Sequence, residues 1–315
     1  MSRLPVEAAW RLAARPQERS WLIEELWAEE AVGIVGGEPK CCKSFMALDM
    51  AVAVASGTPC LRRYAVPRRG RVLLFAAEDA LHVIRQRLDG ICHAAGVQLE
   101  QLDVQVITVP SLRLDLEEHR QRLAETVDEL RPRLLVLDPF VRLHRIDENV
   151  SGEVAPLLAF LRELQRRYQL AVLVVHHARK GAGRARAGQA LRGSSEFHAW
   201  GDSNLYLRRL GEHLTLTIEH RAAASASGIH LHLRVDGDAL ALELAEQRAP
   251  AVPVREPTTL EKVERAIVES STPLTLAALR KSCRVRTATL CESLAELVRQ
   301  GRVEKTAAGY RVAGG

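Results

Sequence analysis

Short apolar runs alternate with amphipathic segments through the middle of the chain. In the segments between the runs, apolar side chains recur every three or four residues, which is typical of helices that pack on a core. Strands that alternate with helices predict βαβ units and a mainly parallel sheet, so the fold class is α/β. We predict strands at residues 32–36, 71–76, 104–109, 133–138 and 170–176, and helices at about residues 43–56, 81–95, 116–130 and 153–168.

The flanks of this region carry other patterns. Residues 203–209, 213–219 and 229–235 alternate apolar and polar side chains, and their close spacing predicts antiparallel hairpins that extend the same sheet. Residues 1–30 predict a helical, partly polar lead-in to a core domain at residues 31–245. Five apolar side chains of the lead-in are expected to cap one end of the core: Trp21, Leu22, Ile23, Leu26 and Trp27.

The end of the chain predicts a second domain. Residues 246–257 contain three prolines and no periodicity, which indicates a linker. Thr258 and Glu261 then form a capping box, since each side chain can accept a hydrogen bond from a backbone N–H that the helix leaves without a partner. Three helices followed by a hairpin are typical of a winged helix-turn-helix domain, which we place at residues 258–315. Its predicted elements are helices at about residues 258–269, 275–282 and 287–300, the last with an apolar stripe of Leu290, Leu294, Leu297 and Val298, and strands at residues 302–305 and 310–312.

Composition narrows the class of protein. A chain of 315 residues with 47% hydrophobic and 26% charged residues can bury an α/β core and a small second domain, which excludes a disordered or fibrous protein. The net charge is +5, and residues 258–315 carry ten Lys and Arg against six Glu, so +4 of it lies there. The six cysteines show no metal-binding spacing, and no apolar run reaches the length of a membrane span. We therefore expect a cytoplasmic protein without a membrane partner.

A candidate phosphate loop follows the first predicted core strand. Residues 36–44 read Gly-Gly-Glu-Pro-Lys-Cys-Cys-Lys-Ser and precede a helix, the context in which backbone N–H groups and the helix N-terminus bind phosphates. Lys43 is expected to neutralise the β- and γ-phosphates of ATP, and the Ser44 hydroxyl to coordinate Mg²⁺. The predicted nucleotide-binding residues are Gly37, Glu38, Pro39, Lys40, Cys41, Cys42, Lys43, Ser44 and Phe45.

Cys42 departs from the usual pattern of such a loop. It stands where a P-loop carries glycine, before Lys43, and a side chain restricts the backbone there. We therefore keep open a site that holds nucleotide but hydrolyses it slowly. The alternative is an ordinary junction between a strand and a helix, where Lys43 and Ser44 follow each other by chance and bind no phosphate. Cys41 and Cys42 lie at a helix N-terminus beside Lys43, which predicts that their thiols are sensitive to oxidants and that the pKa of the Cys41 thiol is lowered.

Three carboxylates stand at the ends of predicted core strands. Glu78 and Asp79 follow one strand, and Asp138 ends another. Because ligands of open α/β sheets bind at the carboxyl ends of the strands, we expect these side chains near the phosphate loop. Asp138 is expected to hold Mg²⁺ through water, and Glu78 to orient or deprotonate the attacking water. For Asp79 we favour the N-cap of the next helix.

His176 and His177 end a further core strand. Successive side chains of a strand point to opposite faces, so one imidazole is expected to face the γ-phosphate while the other points away. We assign the sensor position to His177. A structural role at the strand end is the alternative.

These motifs together resemble the RecA/DnaB-like core of AAA family ATPases, and most closely the plasmid RepA group of hexameric replicative helicases. The resemblance implies a RecA-like P-loop NTPase core that uses ATP and Mg²⁺. It assigns Lys43 and Ser44 to Walker A, Asp138 to Walker B, Glu78 to the catalytic carboxylate and His177 to the γ-phosphate sensor. The matching segments, within residues 20–245, are GGEPKCCKS, LLFAAEDA, LLVLDPFVRLH with DENVSGE, VVHHARKG, and ALRGSSEF with WGDSNLYL.

Ring ATPases of this kind build each site between two subunits, and a basic residue of the neighbour completes it. The resemblance therefore implies a homo-oligomer, which is a hexamer in the RepA group, and Arg221 is our candidate for the completing catalytic residue. Glu219 departs from relatives of the DnaB type, which often have lysine there. The RepA helicases are also not defined by a C-terminal winged helix, which suggests a different task or loading.

Basic side chains predict DNA as the partner. In a RecA-like ring the loops after the His177 and Asp138 strands project towards single-stranded DNA, and the third helix of a winged helix enters the major groove of a duplex. A solvated surface is the alternative for the loops, and protein docking is the alternative for the winged helix. The residues predicted to contact nucleic acid are Arg142, Arg179, Lys180, Arg184, Arg186, Arg284, Arg286, Thr287 and Thr289, with His144, Arg145 and Ser293 beside them.

Two hypotheses of function follow, and they belong to different classes. The leading one is an ATP-hydrolysing, DNA-associated, ring-forming helicase-like ATPase that acts in replication of a plasmid or mobile element. The alternative is a nucleotide-gated DNA-binding regulator without unwinding activity. A small-molecule kinase would use the same loop, but the sequence carries no substrate-pocket signal for it.

Overall fold

The computed structural model describes residues 6–11, 20–177, 196–211, 213–237, 239–245, 259–270, 272–283, 285 and 287–313. The chain divides into two compact units, which meet in sequence at residues 246 and 247. The predicted linker at residues 246–257 and the predicted cap Thr258 lie outside the described residues. Within the described ranges, no helix has both the length and the apolar character that crossing a membrane requires.

Residues 21–28 form a hairpin, so the helical prediction for this part of the lead-in is wrong. Strand β1 (Trp21–Ile23) pairs antiparallel with β2 (Trp27–Ala28). Four of the five predicted core side chains are fully buried, as expected. Their spacing fits a helix and a tight hairpin equally well, and contacts with the sheet decide between them. The backbone N–H of Ala28 donates to the Ser203 hydroxyl at 3.1 Å, which ties the hairpin to the sheet.

Nine strands form one sheet in the described part of the first unit, and most of its neighbouring pairs are parallel. The α/β prediction with a mainly parallel sheet is therefore confirmed. The strands are β3 (Val32–Gly37), β4 (Val72–Ala76), β5 (Val104–Val106), β6 (Leu134–Asp138), β7 (Ala171–His177), β8 (Ser203–Leu210), β9 (His213–His220), β10 (Ala226–Asp236) and β11 (Ala239–Leu244). Their order across the sheet is β11, β10, β9, β8, β3, β7, β6, β4, β5. Strands β8 to β11 pair antiparallel, as predicted for the hairpins.

Helices cover both faces of this sheet. Helices α1 and α2 contribute to the hydrophobic cluster on one face, and α3, α4 and α5 to the cluster on the other. Helix α1 is buried almost all round, which explains why its sequence is apolar on every side. The helices are α1 (Lys43–Ser56), α2 (Leu81–Ala95), α3 (Glu117–Leu130), α4 (Ser151–Tyr168) and α5 (Glu196–Trp200), with 3-10 turns at Ala9–Arg11, Leu99–Gln101 and Phe140–Arg142.

The parallel register brings the candidate chemistry to one edge of the sheet. Gly37 at the end of β3 lies opposite His177 of β7, and Ala76 of β4 lies opposite Asp138 of β6. Strands β6 and β7 are covered on both faces, so their sequences are continuous apolar runs that end in a polar residue.

Two elements are not predicted from the sequence. Helix α5 is too short for its periodicity to be read. Strand β11 has an Ala-Leu-Ala-Leu run that suits a helix as well as a strand, and its pairing with β10 decides. Helix α2 packs against β11 so closely that a Cβ at Gly90 would lie 2.8 Å from the backbone nitrogen of Leu240.

The second unit has the predicted order of elements among its described residues, and its membership of the winged-helix class stays a prediction. The leucines of the predicted stripe are buried, whereas Val298 is exposed. Ser293 was expected to face DNA, but it is buried and donates to the Thr289 carbonyl oxygen at 2.8 Å. It lies three residues after Leu290 and four before Leu297, which puts it on the core face. The elements are α6 (Thr259–Val268), α7 (Leu276–Cys283), α8 (Thr287–Arg299), β12 (Val303–Thr306) and β13 (Gly309–Val312).

Candidate functional site

The chain leaves β3 through a tight loop, and α1 begins at Lys43. Position 37 requires glycine, because a Cβ there would lie 2.3 Å from the Leu207 carbonyl oxygen of β8 and 2.6 Å from Cys41 Sγ. Strand β8 therefore holds the start of the loop in place. The N-terminus of α1 supplies N–H groups without partners inside the helix, which favour an anion.

The loop backbone is left-handed at two residues that carry side chains. The φ angle is 65° at Lys40 and 64° at Cys42, a region that disfavours L-residues by roughly 1–2 kcal/mol each. Cys42 Sγ also accepts a hydrogen bond from Arg209 Nη2 at 3.2 Å. No sequence motif predicts this contact. The loop thus has, at Cys42, the conformation that glycine adopts most easily.

Lys43 lies inside the loop with 5% of its surface exposed. Its Nζ donates to the Glu38 carbonyl oxygen at 2.7 Å, and Cys41 Sγ is 3.8 Å away. Phosphate oxygens can replace such a carbonyl, because they accept the same hydrogen bonds and carry opposite charge. Burial raises the pKa of the Cys41 thiol, and the Lys43 charge opposes it only in part. The predicted lowering of this pKa is therefore wrong.

Asp138 ends β6 with 8% of its surface exposed, and its carboxylate accepts a hydrogen bond from Ser44. Burial raises the pKa of Asp138 to about 6; the hydrogen bond from Ser44 opposes this shift, and the charges of Asp79 and Glu78 add to it. A carboxylate beside a hydroxyl is an oxygen donor set that suits Mg²⁺, which takes one or two protein ligands together with water and phosphate oxygens. The residues present therefore fit the predicted metal.

Two carboxylates follow β4, and each pairs with an arginine. Glu78 Oε1 accepts a hydrogen bond from Arg142 Nε at 2.9 Å. The Asp79 carboxylate accepts one from Arg87 of α2. Ala80, rather than Asp79, occupies the N-cap position of α2, so the predicted capping role of Asp79 is wrong. The arginine, which carries a full charge, competes for this carboxylate more strongly than a backbone N–H does.

The two histidines at the end of β7 point to opposite sides. His177 lines the cavity beside the phosphate loop. His176 is 1% exposed and stacks on Phe197, with ring centroids 4.2 Å apart and planes 19° from parallel. His177 thus has the position predicted for a sensor, and His176 belongs to the core.

A cavity of about 310 Å³ joins these groups at the carboxyl edge of the sheet. Its volume is at the lower end for a small-molecule site. Arg87 lines it as well, with its guanidinium 5.3 Å from the centroid of the Phe45 ring. No local sequence pattern singles out Arg87, which lies in α2 eight residues after Asp79. The lining residues are Lys40, Cys41, Cys42, Lys43, Ser44, Phe45, Ala76, Glu78, Asp79, Arg87, Asp138, Val175 and His177.

Some predicted site residues do not line this cavity. Gly37, Glu38 and Pro39 belong to the loop but are not among the residues that line the cavity. Arg221 does not line the cavity of its own chain. Its Nη1 lies 3.3 Å from Asp202 Oδ1. Its predicted role requires the site of a neighbouring subunit and stays a prediction.

The structure describes only some of the residues that are predicted to contact nucleic acid. Arg145 is exposed, whereas His144 is buried with its Nε2 3.3 Å from Glu148 Oε1, so His144 does not present its ring to solvent. Thr287 and Thr289 are exposed in the first turn of α8. Outside the described residues lie Arg179, Lys180, Arg184, Arg186, Arg284 and Arg286.

A loop between strand and helix that fits phosphates, with carboxylates at the ends of neighbouring parallel strands, defines a P-loop nucleotide-binding protein. A family model described as an AAA domain matches residues 1–183, and the chain belongs to that family. The fold is similar to that in the crystal structure of the RadB recombinase, with a TM-score of 0.50 and 18% sequence identity, covering 69% of this chain and 92% of the other. The chain therefore has an AAA domain with a RecA-like P-loop fold, which confirms that part of the resemblance.

Proposed function

We propose that the protein is a DNA-associated ATPase that works as a homo-oligomeric, helicase-like ring, of the RepA type, in replication of a plasmid or mobile element. The observation that carries this proposal is the convergence of Lys43, Ser44, Glu78, Asp138 and His177 on one cavity. These five side chains come from four strand ends, and together they supply the charges, the metal ligands and the base that phosphoryl transfer uses.

Each of these side chains has one proposed role. Lys43 exchanges its loop carbonyl for oxygens of the β- and γ-phosphates. Ser44 and Asp138 hold Mg²⁺, which when bound neutralises phosphate charge. Glu78 orients the attacking water and accepts its proton at the carboxylate. His177 donates to the γ-phosphate and reports its loss to the segment after β7.

Charge and fold support DNA as the partner. Residues 258–315 carry ten Lys and Arg against six Glu, and cations clustered on one small unit favour a polyanion. The chain also shares its fold with RadB, a recombinase. We assign duplex DNA to the winged-helix unit, where Thr287 and Thr289 are exposed, and single-stranded DNA to the core loops.

We propose that Arg221 of one subunit completes the site of its neighbour. In its own chain the Arg221 side chain is 55% exposed, pairs with Asp202, which is 25% exposed, and donates to the Ala199 carbonyl oxygen. A partly exposed pair of this kind is weak enough to be exchanged for a phosphate. The mass of the protein in solution, measured with and without ATP, tests the ring. A monomer under both conditions would contradict it.

ATP turnover with and without single-stranded DNA, measured beside strand displacement, tests the function itself. We expect single strands to stimulate turnover strongly and a labelled strand to be displaced. If ATP changes duplex binding while single strands leave turnover unaltered and no strand is displaced, the nucleotide-gated regulator replaces the motor.

Deleting residues 258–315 separates the two proposed DNA contacts. The second unit has a hydrophobic core of its own, so the truncated chain is expected to keep its basal turnover and lose duplex binding. Its unfolding transition serves as the control for the fold. Retained duplex binding would make the second unit a protein-docking module.

A further inference from the structure

The side chain proposed as the base is held by a side chain proposed to contact DNA. Arg142 Nε lies 2.9 Å from Glu78 Oε1, although the two residues are 64 positions apart in sequence. Glu78 follows β4, and Arg142 ends the 3-10 turn after β6. These strands are neighbours in the sheet, so the pair sits where the loops of two adjacent strands meet.

We propose that Arg142 is a positioning residue that holds Glu78 away from the attacking water until phosphates of a single-stranded nucleic acid draw Arg142 away. This inference rests on the proposed function. A carboxylate oxygen that accepts an arginine N–H is not available, at that lone pair, to accept the proton of a water. Removal of Arg142 from the pair therefore releases the base.

Exposure makes this pair exchangeable. The side chain of Arg142 is 61% exposed and that of Glu78 is 43% exposed, and exposed ion pairs are weak. A phosphodiester offers the same guanidinium two oxygens and a full charge. The adjacent carboxylate, Asp79, is held differently, since its partner Arg87 is 27% exposed and lies over the Phe45 ring. Only the outer of the two pairs is open to exchange with a large polyanion.

The chemistry that Arg142 would recognise is a phosphate oxyanion, and either a polynucleotide backbone or free phosphate offers it. Arg145 is exposed three residues further along the same loop. Two cations at this spacing suit the repeated charges of a strand better than a single ion. Inorganic phosphate therefore serves as the second arm of the test.

The competition has to be reciprocal. If phosphates that bind Arg142 release Glu78, then the ion pair with Glu78 must weaken phosphate binding by Arg142. Removing the charge of Glu78 must therefore strengthen phosphate binding by the factor that the ion pair costs it. This consequence is measured by DNA affinity alone, without ATP hydrolysis.

The binding experiment uses a labelled oligo-dT strand, the full chain and no nucleotide. Glu78→Gln is expected to tighten binding about two- to fivefold, the range of an exposed ion pair. In the Arg142→Ala background the same change is expected to leave the affinity unaltered. Equal tightening in both backgrounds would mean that Glu78 acts only through its charge, and no tightening in either would mean that the pair does not compete; each result overturns the inference.

The turnover experiment compares Arg142→Ala and Arg142→Lys with the unchanged chain. Arg142→Ala is expected to raise turnover without DNA about two- to fivefold and to reduce stimulation by oligo-dT by the same factor. Arg142→Lys is expected to restore stimulation, and inorganic phosphate at equal ionic strength is expected to produce none. Arg85→Ala is the matched control, because its ion pair with Glu100 is 3.0 Å long, similarly exposed and outside the cavity lining.

Lower DNA-free turnover in Arg142→Ala would overturn the inference, since Arg142 would then assist hydrolysis. Stimulation by inorganic phosphate equal to that by oligo-dT would overturn the polynucleotide as the releasing partner. A further outcome is a chain that hydrolyses ATP and binds DNA while Glu78→Gln changes DNA affinity equally with and without Arg142. That result would overturn the inference and leave the proposed function standing. A chain that neither hydrolyses ATP nor binds oligo-dT would overturn both.

Discussion

The inner and outer halves of the nucleotide cavity hold their charges in different ways. In the inner half, Lys43 and Asp138 are 5% and 8% exposed and are held by the loop carbonyl and by Ser44. In the outer half, the side chains of Glu78 and Arg142 are 43% and 61% exposed and hold each other. Salt screens the outer pair far more than the inner groups. The groups proposed to bind phosphates are therefore fixed in advance, whereas the proposed base lies where a partner can reach it.

The largest expected effect comes from removing the inner cation, because its loss lowers both nucleotide affinity and turnover. Lys43→Ala is expected to slow ATP hydrolysis at least about 100-fold and to weaken nucleotide binding, because a buried charge at the phosphates acts where water does not screen it. Turnover and the affinity for a fluorescent nucleotide measure the two effects. Lys262→Ala, an exposed lysine of α6, is the control. Unchanged turnover in the Lys43 variant would reject this site.

Changing the outer carboxylate should separate binding from chemistry. Glu78→Gln keeps the shape of the side chain but removes the base, so hydrolysis is expected to slow by about 10²–10⁴-fold. Nucleotide affinity is expected to stay within about twofold. Loss of affinity as large as the loss of turnover would make Glu78 structural and would abolish the contrast between the halves.

Burial of the inner carboxylate predicts a dependence of stability on pH. The pKa of Asp138 is raised from 3.8 to about 6, so between these values the folded protein binds the proton more tightly than the unfolded chain does. Without metal, the protein therefore loses stability as the pH rises through this window, by up to about 3 kcal/mol at pH 7. In EDTA, Asp138→Asn is expected to raise the free energy of unfolding by about 1–3 kcal/mol at pH 7 and by little near pH 4. A urea titration at both pH values measures it, and equal gains would contradict burial as the cause.

The smallest expected effect concerns the phosphate loop between β3 and α1. Cys42→Gly removes a left-handed strain of about 1–2 kcal/mol, which the greater freedom of glycine in the unfolded chain offsets by about 0.4–1 kcal/mol. Loss of the contact with Arg209 reduces the gain further, so we expect at most about 1 kcal/mol of added stability and equal or faster turnover. Lys40→Gly has the same backbone angle without a bond to Arg209 and serves as the comparison in thermal unfolding. A stability loss in the Cys42 variant alone would show that the sulfur contact outweighs the strain.

The strands of the inner half could be predicted because burial on both faces leaves a strong pattern. Strands β6 and β7 are continuous apolar runs, and the polar residues that end them, Asp138 and His177, line the cavity. The arginine partners of the two carboxylates that follow β4 could not be predicted. Asp79 fits an N-cap by sequence, and its attachment to Arg87 depends on how α2 lies against the loop. The same limit applies to Arg142, since no local pattern reports which carboxylate a loop arginine meets.

Local sequence is enough to predict the alternation of strands and helices, the phosphate loop and the residue types at the strand ends, because periodicity and local backbone chemistry act over a few residues. Contacts between distant segments decided that residues 21–28 are a hairpin and that β11 is a strand. Only the tertiary structure, likewise, joined Glu78 to Arg142 and Cys42 to Arg209. These outcomes depend on contacts between segments far apart in the chain, where several local conformations have similar energy and packing selects among them.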